Sequence, residues 1–101
     1  MIHADDFKLV LKECVKAEAK HPNFPEDVVK MISLVAEEAG EAIREANHLD
    51  EGKGDIEDLK HELYQTIQVS FRALSEIRRQ NDKGQQQYTI PPGATRSPED
   101  N

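Results

Sequence analysis

Three stretches of the chain repeat apolar residues at intervals of three and four, the pattern of a helix that buries one face. In the first, Phe7, Val10, Leu11, Cys14 and Val15 follow Asp5 and Asp6, either of which suits a helix N-cap, and the periodicity predicts a helix to about Lys20. In the second, Val28, Ile32, Val35, Ala39, Ala42 and Ala46 make a seam that runs to about Asn47. In the third, the seam is Ile56, Leu59, Leu63, Ile67, Ser70, Leu74 and Ile77, with Asp55 placed to cap it.

The breaks between these stretches have their own chemistry. "HPNFP" carries Pro22 and Pro25, which cannot sit inside a helix. Pro25 suits a first helical turn, with Asn23 or Phe24 at the boundary and Glu26 and Asp27 at the end where the helix dipole favours acids. "HLDEGKG" supplies two glycines, a natural stop. The two long helices on either side of it are expected to form an antiparallel hairpin. After about Arg79 the periodicity ends and the sequence turns polar, with Pro91, Pro92 and Pro98. The expected organisation is one all-α domain over residues 1–80, an antiparallel bundle of three main helices, followed by a mobile tail over 81–101. Tyr88 and Ile90 in that tail are available to dock on a neighbour.

Composition adds a limit. In 101 residues, aromatics are 5% and charged residues 33%, so a lone chain can bury only a modest aliphatic core. The leftover apolar surface is expected to complete a homo-oligomer. A net charge of -7 disfavours binding a nucleic-acid backbone. A small anion such as a nucleotide can bind only where a metal ion or a few cations reverse the local field. No apolar run is long enough to span a bilayer. A single cysteine, Cys14, excludes an intrachain disulfide and sits on an apolar helix face as a packing residue. With no signal-like start, the reading is a cytoplasmic protein.

Against this background the carboxylates of "SLVAEEAGEAIREAN" stand out. At about 100° per residue, Glu38 lies roughly 80° from the Val28–Ala46 seam, at the edge of the apolar face. Glu41 and Glu45 share that flank, while Glu37 points away from it. On the third helix Glu62 lies about 120° from its seam, with Gln65 one turn along. If the two helices pack antiparallel, Glu38 and Glu41 face Glu62 and Gln65 across a groove, each helix offering oxygen ligands at i, i+3. Hard cations such as Mg2+ or Mn2+ favour such oxygen ligands. Acidic residues at helical spacing also occur as plain solvated faces.

The stretch "LVAEEAGEAIREA", with Glu37, Glu38 and Glu41, and then "HELYQTI", with Glu62 and Gln65 after twenty intervening residues, resembles the MazG-like all-α nucleoside triphosphate pyrophosphohydrolases. Their signature is EExxE on one helix and ExxD on the next. The resemblance covers residues 24–74, about half the chain. It implies Mg2+ held by Glu38, Glu41, Glu62 and position 65, and cleavage of a nucleoside triphosphate to the monophosphate and pyrophosphate. It also implies a homodimer or homotetramer in which a neighbouring chain completes the nucleotide pocket. Glu37 is then a candidate general base or supporting carboxylate, so the candidate catalytic set is Glu37, Glu38, Glu41 and Glu62. Gln65 departs from the pattern, offering a neutral amide oxygen where the family has a carboxylate. The alternative that follows from it is a helical regulator or assembly module that has lost the chemistry.

Other residues have looser readings. Lys53, Lys60, Arg44 and Arg72 are the cations available for phosphates, and Phe24, Phe71 and Tyr64 the rings available for a base. Each is also an ordinary surface or packing residue. Glu45 with His48, and Asp58 with His61, repeat the acid-x-x-His spacing of di-iron bundles at the hairpin ends.

Overall fold

Each helix begins where a side chain caps it. In the computed structural model, which describes residues 1–84, α1 spans Ala4–Lys20, α2 Val28–Asp50 and α3 Ile56–Asp82. His3 caps α1 through its imidazole Nδ1, which accepts from the Asp5 amide at 3.1 Å. Asp5 and Asp6, the expected caps, sit instead in the first turn, where their charge meets the positive end of the dipole. Asp27 caps α2, accepting from the Lys30 amide at 3.0 Å, so the start lies beyond Asn23 and Phe24 and Pro25 stays outside the helix. Asp55 caps α3 as its position predicts, accepting from the Glu57 amide at 2.9 Å. Both long helices run about one turn past their expected ends. Residues 85–101, with Tyr88 and Ile90, lie outside the described residues.

The hairpin turn depends on its glycines. Gly52 has a φ of 75°, the left-handed conformation that ends many helices, and its amide donates to the Leu49 carbonyl at 3.0 Å. The Lys53 and Gly54 amides both donate to the His48 carbonyl. A Cβ on Gly54 would lie 2.9 Å from the Leu49 nitrogen, so this tight return has no room for a side chain.

α3 is the middle helix. It packs against both α2 and α1, while the backbones of α1 and α2 do not approach each other within 8 Å. The fold is therefore a single bent layer of three helices. Met31, Ala42 and Ala73 are buried between α2 and α3, and Val10 and Cys14 beneath α1.

The direction each helix faces differs from the expectation set by the seams. The seam residues Ile56, Leu63, Ile67 and Leu74 are exposed, Leu63 by 48% and Leu74 by 60%, and so is Ile32 on α2. The face of α3 that points inward instead carries Glu62, Val69, Ala73 and Gln80, about 100° round from the seam. On α2 the inward face shifts in the same sense, toward Met31, Leu34, Glu38 and Ala42. The acidic flanks thus meet, and the aliphatic seams are left on the open side of the hairpin. A three-helix chain has too few apolar side chains to cover both. Among the described residues, no helix is long and apolar enough to cross a membrane.

Candidate metal centre and the adjoining crevice

The rotation of α2 and α3 brings three carboxylates together. One oxygen from each of Glu38, Glu41 and Glu62 lies within 4.8 Å of the others. Glu38 and Glu62 are half-buried and Glu41 is exposed. Glu38 and Glu41 stand at i, i+3 on one helix, and Glu62 reaches them from the antiparallel neighbour.

Glu62 carries the electrostatic strain of this arrangement. Its Oε2 is shut off from solvent and has no hydrogen-bond partner among the described residues. Three ionised carboxylates hold no proton to donate, so each can only repel the others. Burial first, then Glu41, then Glu38 push the Glu62 carboxyl up from 4.5 to about 7. Such a group is stabilised by a shared proton or by a cation. An all-oxygen donor set with a shielded, unpaired oxygen fits a hard divalent ion.

The remaining candidates are placed as follows. Glu37 is exposed and lies outside the cluster. Gln65 is half-buried, and its Nε2 donates to Glu13 Oε2 on α1 at 2.9 Å. A carboxylate only accepts, so the amide nitrogen must face Glu13 and the amide oxygen must face away. Glu13 was not among the residues that the sequence singled out. No helical spacing links it to Gln65, because the two are joined only by the packing of α1 on α3.

Arg72 lines a crevice of about 420 Å³ together with Glu38 and Gln65. The crevice lies where α1 and α2 fail to meet, roofed by the segment 21–25 and floored by α3. Arg72 Nη2 donates to the His21 carbonyl at 2.6 Å, and its guanidinium lies over the Phe24 ring, 4.7 Å from the centroid. Lys53 and Lys60 instead form surface pairs with Glu51 and Glu57, and Arg44 is exposed. Tyr64 donates its hydroxyl to Asp6 at 2.8 Å, tying α1 to α3. Phe71 borders other hollows.

His48 sits 3.7 Å from Glu45, but no metal-capable group of three or more among the described residues includes a histidine. The thiol of Cys14 is buried, and burial pushes its pKa up, as in a packing residue and unlike a nucleophile.

Comparison of the chain with known protein families, with curated proteins and with solved structures finds no match.

Proposed function

We propose that this protein is a Mg2+- or Mn2+-dependent nucleoside triphosphate pyrophosphohydrolase of the MazG-like kind, releasing the monophosphate and pyrophosphate. The observation that carries the reading is the convergence of Glu38, Glu41 and Glu62 around a shielded, unpartnered Glu62 oxygen. These three would hold the ion, with the Gln65 amide oxygen as a neutral fourth donor. The Glu13 contact supports that role, since it turns the amide nitrogen toward α1. A divalent ion bound there offsets the negative charge of a triphosphate and makes water a stronger nucleophile at neutral pH. The acidic chain needs that offset, because Arg72 is the cation that lines the crevice beside Glu38.

The exposed aliphatic face of Ile32, Ile43, Leu63 and Leu74 supports a homodimer or homotetramer, in which a second chain covers these side chains. A cytoplasmic setting, with Cys14 kept reduced, belongs to the same proposal. The net charge of -7 argues against nucleic acid as a partner.

The test is product analysis. Purified protein is incubated with each ribo- and deoxyribonucleoside triphosphate, with and without Mg2+ or Mn2+, and monophosphate and pyrophosphate are scored. Metal-dependent release from at least one substrate is expected. Folded protein that releases neither product across the panel sinks the reading. Activity that persists in Glu37→Gln would remove that exposed carboxylate from the reaction, whereas Glu38→Gln and Glu41→Gln should each abolish turnover.

A further inference from the structure

Three glutamines on α3 point into the protein, and two of them are satisfied. Gln80, 5% exposed, donates to the Glu26 carbonyl and to Glu76. Gln65 donates to Glu13. Gln68 is the most buried of the three at 3% exposure, yet among the described residues no side-chain hydrogen bond engages its amide. It is not sealed in like the Glu62 oxygen; it lines the crevice beside Glu38 and Gln65. An amide whose hydrogen-bonding capacity no neighbouring side chain uses keeps it for whatever enters the crevice. An amide held open on a crevice next to a cation site is available for a ligand.

The chemistry of the amide selects the ligand's edge. An acceptor and a donor stand side by side, so the best complement is a planar group with an adjacent donor and acceptor. Phosphate oxygens only accept and leave the Gln68 oxygen unmatched, and Glu38, which lines the same crevice, repels them in the absence of a cation. The edge of a nucleobase carries the required pair. The crevice also offers the Phe24 ring with the Arg72 guanidinium stacked on it, a flat wall suited to a base. We infer that Gln68 is a specificity-determining residue that reads the hydrogen-bonding edge of a nucleobase seated in the crevice between α1 and α2. Base as the ligand class rests on the nucleotide reading above.

The experiment uses uncharged nucleosides, which need neither metal nor turnover. Adenosine, guanosine, cytidine, uridine and thymidine are titrated into the full chain while the Gln68 side-chain amide signals are followed by 15N NMR. The signals are assigned from their loss in Gln68→Leu. One base class is expected to shift them saturably, and Gln68→Leu and the near-isosteric Gln68→Glu to weaken that binding at least tenfold, with the remaining spectrum retained. If no nucleoside moves the Gln68 signals, or if Gln68→Leu binds as the native chain does, the inference is overturned. Should both variants misfold, the native titration alone decides. Nucleoside binding through Gln68 without metal-dependent turnover would sink the hydrolase reading and leave the base contact standing. Turnover with silent Gln68 signals would do the reverse.

Discussion

α3 meets its two neighbours in opposite ways. Toward α1 its polar side chains are matched: Tyr64 donates to Asp6, Gln65 to Glu13, and Arg72 to the His21 carbonyl at the end of that helix. Toward α2 and the crevice, the shielded oxygen of Glu62 is without a partner among the described residues and the amide of Gln68 opens on the cavity. The two regions are built from the same residue types on one helix. Where the polar groups are paired they fix the position of α1, an architectural task. Where they are left open, the fold bears the cost of desolvating the Glu62 oxygen, which a cation would relieve, and leaves the Gln68 amide facing the crevice.

The comparison is broken most severely at Glu62. Replacing it by Gln supplies donors to Glu38 and Glu41, so the metal-free chain should gain about 1 kcal/mol toward denaturation by urea. Mn2+ affinity, followed by electron paramagnetic resonance, should fall on the order of 100-fold. A variant that binds Mn2+ as the native chain does would remove Glu62 from the site. The proton on Glu62 gives the same contrast a pH signature. Its folded pKa, about 7, lies above the usual 4.5, so the folded state holds this proton more tightly than the unfolded one. The associated stability is fully present below about pH 4.5 and is lost as pH rises through about 7. Mn2+ must displace that proton, so its affinity should climb over the same window and level off above it. Glu62→Gln should flatten both curves, and a native profile without this slope would count against the strained carboxylate.

A smaller effect is expected on the paired side. Gln65→Glu sets a carboxylate against Glu13 and should cost about 2 kcal/mol. Adding Glu13→Gln restores a donor in the reverse sense and should recover most of the loss, a coupling that a double-mutant cycle in urea reads directly. Additive effects of the two changes would mean that the Gln65–Glu13 contact does not hold α1. It follows that an acid at position 65 is not a simple gain for the proposed cation site, because Glu13 of α1 already stands against that side chain.

The mildest change sharpens the contrast. Tyr64→Phe removes one hydroxyl and its bond to Asp6 and should cost about 1 kcal/mol. Mn2+ affinity should remain within twofold, since Tyr64 lies on the α1 side. A large loss of metal binding in Tyr64→Phe would show that the two sides of α3 are not independent.

Local rules in the sequence set much of this molecule. Asp55, Pro22, Pro25, Gly52 and Gly54 act through their own backbone preferences or their nearest neighbours, so the three helices and the hairpin could be read without any tertiary information. The i, i+3 spacing of Glu38 and Glu41 is local in the same way, whereas their meeting with Glu62 on α3 depends on how the two helices turn toward each other. Helix rotation is not local. The apolar seams marked an inward direction for α2 and α3, yet which flank turns inward depends on all the surface the packed chain can bury, and here Ile32, Leu63 and Leu74 stay outside. The contact of Glu13 with Gln65, the gap between α1 and α2, and the isolation of Gln68 inside it arise from the placement of α1 on α3. Residues 52 positions apart, as Glu13 and Gln65 are, are brought together by packing alone, and periodicity along one helix carries no record of it.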